Sequence, residues 1–293
     1  MITVFGGILR YSVYLASVES FTPLETNSHC PAITKLPDER YGHIAQIIQG
    51  KTVVCGGYTS AWEKTCLNYE AGTWSSTKPM TQARDYASSI LLSDGSMLIT
   101  GGYGGSSSKT TLEIWTEHAT MEETKTMTLP EEMAEHCMVL ISTSQVLLAG
   151  NYYGDRKSSY LLNITSWPFT FTERIPLSTG RRGAACGLLK NYGVHKNLPI
   201  VAGGSGGSTF HKTTEVLING RWETGPTLPR GFYSGGYTNV DEFFLIGGWD
   251  GSQVRKDVMM YDEENQIFKI TEGKMETGRE STAATITSTD QCN

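Results

Sequence analysis

The segment FFLIGG at residues 243–248 decides the fold, because a short apolar run followed by two glycines recurs along the whole chain. This copy ends at Gly248, and the preceding copy, PIVAGG, ends at Gly204. The other copies end at Gly7, Gly57, Gly102 and Gly150. Their spacing runs from 44 residues (Gly204 to Gly248) to 54 residues (Gly150 to Gly204). Six copies at this spacing predict an array of six similar structural units.

Each copy carries further landmarks in a constant order. An aromatic residue follows the glycines in four copies, at Trp74, Trp167, Trp222 and Phe268. A turn that often contains Leu-Pro or Pro-Met comes next, and an arginine then opens the following strand. These arginines are Arg40, Arg84, Arg182, Arg230 and Arg279. The landmarks divide each unit into short strands that are rich in β-branched and aromatic residues and are separated by tight turns.

This order of landmarks resembles the kelch repeat, and the resemblance covers the whole chain. It implies an all-β fold: a six-bladed kelch-type β-propeller with four-stranded blades, formed as one domain by residues 1–293, with no attached BTB domain. A blade is apolar on both faces, so stacking blades around an axis buries surfaces that one blade cannot bury alone. The first copy has Cys30 near the slot of the aromatic, and two further copies depart from the pattern. The third lacks a clear aromatic in its Trp slot, and the fourth has Ala149-Gly150 for the diglycine and no arginine near Met133.

The two ends of the chain predict how the ring closes. The chain begins directly on a strand of the second type, at residues 2–5, without the arginine-led strand that should precede it. Arg279 is followed by STAATIT at residues 281–287, and no diglycine strand comes after it. We therefore expect residues 281–287 to pair with residues 2–5. The N-terminal apolar stretch is then a blade strand rather than a signal peptide.

Composition and charge exclude some classes of function. The formal net charge is −6, whereas a nucleic-acid-binding protein normally presents a basic face, so no nucleic-acid partner is expected. No apolar run is long enough for a transmembrane helix, so no membrane span is expected. We expect a monomeric ring, and the sequence leaves a cytoplasmic and an extracellular location both open.

Four of the six cysteines suggest disulfides. Cys55 precedes a diglycine and Cys66 opens the next strand, so the two thiols face each other across one hairpin. A disulfide there would stabilise the fold by about 3 kcal/mol on the chain-entropy model. Cys30 and Cys292 fall at the same end of the closing blade, where a second disulfide could lock the closure.

The remaining cysteines, two histidines and one asparagine complete the candidate sites. Cys137 and Cys186 occupy matching positions on adjacent inner strands, and we interpret them as buried free thiols. His43 and His136 also match in position but lack the spacing of metal ligands, so no metal site is expected. Asn163 opens the single Asn-X-Thr glycosylation sequon, at a strand end that is compatible with a glycan.

Strand alternation places two sets of loops on one face of the ring: those that follow each diglycine and those that precede each arginine-led strand. These loops are rich in Tyr, Trp and Arg, which are enriched at binding hot spots. The predicted binding residues are Arg10, Tyr58, Trp62, Arg84, Tyr103, Tyr152, Tyr153, Arg181, Arg182, Arg230 and Trp249.

A ring of arginines in an otherwise acidic protein would attract an acidic peptide or a carboxylate ligand. One arginine per blade could instead serve the fold by pairing with a carboxylate or a loop carbonyl, and the sequence leaves both alternatives open. Residues outside the repeat pattern are the stronger candidates. These are Arg181 beside Arg182, the pair Tyr152-Tyr153, and Trp62.

Enzymes of the kelch-propeller type use motifs that can be compared with this chain. The copper radical oxidases need Tyr and His ligands with a Tyr–Cys cross-link, and the plant specifier proteins need Glu-x-x-x-Asp-x-x-x-His; neither pattern is found. A sialic-acid mutarotase is also a six-bladed ring, and Glu280 with Arg279 could transfer protons in that kind of reaction. Adjacent charged residues are more often a solvated pair, so we expect no enzymatic activity and no cofactor. The expected function is a non-catalytic scaffold that binds a protein or peptide on the loop face, with an extracellular glycan-binding module as the alternative.

Overall fold

The computed structural model describes residues 1–9, 13–26, 29–30, 33–104, 110–154, 156–173, 176–239 and 242–287. These residues form antiparallel β-sheets that are arranged as the six blades of a propeller. Within the described ranges no helix is long and apolar enough to cross a bilayer.

The blades follow one another along the chain. Blade one contains β1 (Ile2–Leu9), β2 (Val13–Phe21) and β23 (Ala283–Ile286). Blade two contains β3 (Ile44–Ile48), β4 (Lys51–Cys55), β5 (Cys66–Glu70) and β6 (Thr73–Thr77). Blade three contains β7 (Ser88–Leu91), β8 (Met97–Thr100), β9 (Thr111–Trp115) and β10 (Lys125–Thr128). Blade four contains β11 (Cys137–Ser142), β12 (Gln145–Ala149), β13 (Ser159–Asn163) and β14 (Thr170–Glu173). Blade five contains β15 (Ala185–Tyr192), β16 (His195–Ala202), β17 (Thr214–Ile218) and β18 (Arg221–Thr224). Blade six contains β19 (Gly236–Asn239), β20 (Phe243–Ile246), β21 (Asp257–Asp262) and β22 (Ile267–Lys274).

The ring closes as the sequence predicts. β23 pairs with β1 in antiparallel register, from Ile2 opposite Ile286 to Phe5 opposite Ala283. A single bridge between Phe21 and His29 continues this blade beyond β2, in the place of a fourth strand. The innermost strands contact one another in cyclic order, β23, β3, β7, β11, β15, β19 and β23 again. The blades therefore form a closed ring in which the two ends of the chain share one sheet.

The core lies between neighbouring blades. β8, β12 and β20 are buried along almost their whole length because blades cover both faces of these strands. Trp115 on β9 packs with the apolar side chains of blades two and three, and its indole N–H donates to the Lys78 carbonyl at 3.0 Å. The third repeat thus has a buried tryptophan on its third strand, although it has no clear aromatic in the expected slot.

The structure has a disulfide within one blade and a disulfide between two neighbouring blades. Cys55 and Cys66, directly opposite each other on β4 and β5, form a disulfide within blade two. Cys137 and Cys186 also form a disulfide, which joins β11 of blade four to β15 of blade five. The interpretation of these two residues as free thiols is wrong, because matching positions on adjacent inner strands bring their Cα atoms to 5.4 Å, within the range for a disulfide. Cys30 is disulfide-bonded, and its predicted partner Cys292 lies outside the described residues.

Candidate binding site at the channel mouth

A closed ring of backbone hydrogen bonds surrounds one end of the central channel. The residues of this ring are Gly42, Tyr86, Glu135, Gly183, Ser234 and Ser281, one before each inner strand. Each N–H donates to the carbonyl of the equivalent residue in the preceding blade, at 2.5 to 3.1 Å. All six have a φ between 50° and 63°, a left-handed conformation that is unfavourable for a residue with a side chain. The hydrogen-bonded ring therefore holds the channel mouth in a fixed shape, and the residues around it form the candidate site.

The repeated arginines support this mouth from inside the blades. Their guanidinium groups donate to the carbonyl of the first glycine in the pairs Arg40–Gly56 (3.2 Å), Arg84–Gly101 (2.7 Å), Arg181–Gly203 (2.6 Å), Arg230–Gly247 (3.0 Å) and Arg279–Gly6 (3.0 Å). The two most regular landmarks of the sequence are thus one structural unit. Gly247, for example, has a φ of 63°, and a Cβ there would lie 2.6 Å from the Arg279 carbonyl oxygen.

The predicted ligand-facing role of Arg84, Arg181 and Arg230 is therefore wrong. Each of these residues is buried, with 1%, 0% and 7% of its surface exposed. Their ion-pair partners are Glu113 for Arg84, Glu215 for Arg181 and Asp257 for Arg230. These guanidinium groups are buried and donate to groups of the fold, so they do not face a ligand. The reason for expecting an acidic ligand is thereby removed.

Arg182 faces the mouth instead. Arg181 occupies the position of the repeated arginine, so the prediction that Arg182 occupies this position is wrong by one residue. The Arg182 guanidinium donates to Glu135 Oε1 at 3.1 Å. Its central carbon lies 4.9 Å from the ring centre of Tyr152 and 5.2 Å from that of Tyr233, which is cation–π geometry.

Glu135 is the centre of this cluster and is not among the predicted binding residues. The hydroxyl groups of Tyr103 and Tyr233 donate to its carboxylate at 3.2 Å and 2.9 Å, in addition to Arg182. Glu135 lies two residues after Met133, in the repeat that lacks both the arginine and the diglycine. The departure of the fourth repeat from the pattern is therefore the signal that could have identified this residue.

The structure brings most of the predicted aromatic residues into one continuous arc. Ring contacts with centroids 4.7 to 6.4 Å apart connect Tyr14, Tyr41, Tyr58, Trp62, Tyr86, Tyr103, Tyr152 and Tyr153. Trp62 and Tyr152 expose 51% and 38% of their surface. Trp249 contacts Phe210, which in turn contacts Tyr233. Arg10 lies outside the described residues. Of these aromatic residues, Tyr14, Tyr41, Tyr86, Phe210 and Tyr233 are not among the predicted binding residues, although Tyr41, Tyr86 and Tyr233 lie in the loops that precede the inner strands.

Two further carboxyl groups face the mouth. Burial, with a smaller contribution from the charge of Glu135, raises the pKa of Asp85 to about 7, although interactions with its own backbone N–H and with Trp62 oppose the rise. Burial and then the charge of Glu135 raise the pKa of Glu280 to about 7. Both carboxyl groups therefore titrate near neutral pH.

A cavity of about 160 Å³ lies below the hydrogen-bonded ring. His43 and His136 are among the residues that line it, and burial lowers the pKa of each to about 3, so both imidazoles are neutral at physiological pH. Among the described residues no three His, Cys, Asp or Glu side chains form a cluster that could hold a metal ion.

The fold and this mouth define a six-bladed β-propeller with an aromatic arc and a carboxylate cluster around one end of its channel. The chain is similar to the solved structure of YjhT, with a TM-score of 0.70 and 14% sequence identity over 92% of this chain and 96% of that chain. No family model and no curated protein sequence matches the chain. At this identity the similarity to YjhT shows the shared fold alone.

Proposed function

We propose that this propeller, of the kelch type, is a non-catalytic scaffold that binds a protein or peptide at the channel mouth. The observation that carries the proposal is the aromatic arc, in which Trp62 and Tyr152 present large, partly exposed rings. Aromatic anchors on loops held by a rigid ring lose little conformational entropy on binding, and such residues dominate binding energy at protein interfaces.

The geometry at the mouth favours binding over proton transfer. Arg279, which with Glu280 was the candidate pair for a mutarotase-like reaction, is fully buried and pairs with Glu19. The carboxylate of Glu135 accepts hydrogen bonds from three side chains, which fix the geometry of the mouth. Arg279 and Glu135 are thus bonded to other side chains of the protein, whereas rings of the aromatic arc are exposed to solvent.

The experiment is selection of peptides from a random phage-displayed library on immobilised protein, followed by titration of the selected peptides. Trp62→Ala should weaken their binding about tenfold, the loss typical of one aromatic hot spot. The matched control is Val194→Ala, because Val194 is 93% exposed in the turn between β15 and β16, at the opposite end of the blade. Equal affinities of the two variants, or a library that yields no binder, would overturn the proposal.

A second candidate, an extracellular glycan-binding module, is favoured by the disulfides, which are typical of oxidising compartments. Partly exposed aromatic rings also offer apolar faces on which a sugar can stack. Asn163 of the sequon is exposed at the end of β13. A glycan-array signal that disappears in Trp62→Ala would support this candidate, and intact mass after secretion would show whether Asn163 carries a glycan.

A further inference from the structure

The charge balance at the mouth is acidic. One residue upstream of each member of the hydrogen-bonded ring lies a second ring, made of Tyr41, Asp85, Ala134, Arg182, Tyr233 and Glu280. Together with Glu135, these positions contribute three carboxyl groups and one guanidinium. Arg182 and Glu135 pair with each other. In the described part of the chain, no cationic side chain forms an ion pair with Asp85 or Glu280.

Asp85 has unused capacity to accept a hydrogen bond. It is 4% exposed, and its Oδ1 atom has no hydrogen-bond partner among the described residues. A buried carboxylate oxygen without a donor is costly, and a ligand that brings a donor or a positive charge removes that cost.

Aromatic rings surround this carboxyl group. The side chain of Trp62 and the phenols of Tyr41 and Tyr86 are close enough to interact with this carboxyl group. The ring centres of Tyr41 and Tyr86 are 5.9 Å apart. A carboxylate among aromatic faces is the environment in which proteins bind ammonium and guanidinium groups, because the ring quadrupole and the anion attract the same charge.

We propose that the channel mouth recognises a cationic side chain, lysine or arginine, of the peptide that the scaffold binds. This inference rests on the proposed function and specifies its ligand class. The cation binds at Asp85, Glu280 of the same ring adds negative charge to the mouth, and the rest of the peptide packs on the aromatic arc. A basic ligand thus replaces the acidic ligand that the repeated arginines suggested.

The test uses three pools of random heptapeptides, each with one fixed residue at the central position: arginine, its neutral isostere citrulline, or glutamate. The wild-type protein should bind the arginine pool about tenfold more tightly than the citrulline pool, the ratio that corresponds to one charge-assisted contact of about 1.4 kcal/mol. High salt should reduce this ratio, and the glutamate pool should bind weakest.

The decisive variant is Asp85→Asn/Glu280→Gln, which should bring the arginine-to-citrulline ratio close to one. Its control, Glu122→Gln/Glu264→Gln, removes the same charge at exposed positions in turns away from the mouth and should keep the wild-type ratio. An unfolding curve for each variant checks that the ring remains folded. Peptide binding with no dependence on charge, or a wild-type ratio in the decisive variant, would overturn the inference and leave the scaffold function standing. No binding by any pool would overturn the scaffold function itself.

Discussion

Arg181 and Arg182 are adjacent in sequence, yet replacing each by alanine should lower the free energy of unfolding by clearly different amounts. Arg181 is fully buried and donates to the Gly203 carbonyl at 2.6 Å, to the Thr213 carbonyl at 3.0 Å and to Glu215 at 2.8 Å. Removing it leaves the buried carboxylate of Glu215 without its cation. The free energy of unfolding should fall by about 3–5 kcal/mol, the usual cost of breaking a buried pair on one side.

Arg182→Ala removes one ion pair and two cation–π contacts at a side chain that is 23% exposed. Its cost should be about 1–2 kcal/mol. Urea unfolding followed by tryptophan fluorescence, at one pH for wild type and both variants, measures the two losses. Equal losses, or a larger loss for Arg182→Ala, would refute the assignment of Arg181 to the fold and of Arg182 to the mouth.

Three further predictions concern closure, disulfides and pH. Deletion of residues 279–293 removes β23 and Arg279, so circular dichroism should show loss of the cooperative melting transition; a truncated chain with the wild-type melting temperature would contradict the closure. Cys137→Ser/Cys186→Ser should cost about 4 kcal/mol and Cys55→Ser/Cys66→Ser about 3 kcal/mol in urea unfolding, because their sequence separations are 49 and 11 residues; the reverse order would contradict the chain-entropy reasoning. The raised pKa values of Asp85 and Glu280 mean that the folded state holds their protons to higher pH than the unfolded state does, so their contribution to the free energy of unfolding falls between about pH 4 and pH 7. Buried His43 and His136, with lowered pKa values, produce the opposite slope between about pH 3 and pH 6.5, so the measurement is the difference between wild type and Asp85→Asn/Glu280→Gln across this range. That difference should reach roughly 2–4 kcal/mol in favour of the variant at pH 8, and a pH-independent difference would count against the burial of these carboxyl groups.

The number of blades and the closure of the ring could be predicted from the sequence because both follow from local sequence patterns. Each diglycine follows a strand that pairs with its sequence neighbours, so the period counts the blades without any long-range information. The arginine-led strand at residues 281–287 lacks a following diglycine strand, and residues 2–5 lack a preceding one. Two incomplete halves of one repeat leave a single way to complete a blade.

The side chains that face the mouth depended on the tertiary structure. Arg181, and not Arg182, donates to the carbonyl of the diglycine. Neighbouring side chains of an extended segment point to opposite sides, so Arg181 points into the blade while Arg182 points toward the mouth. Glu135 meets Tyr233, distant in sequence, only because the inner strands form a ring. Cys137 and Cys186 likewise become partners only when blades four and five stand side by side. A repeat specifies its own strands through local pairing, whereas contacts across the channel depend on the radius and order of the closed ring, which no single repeat encodes.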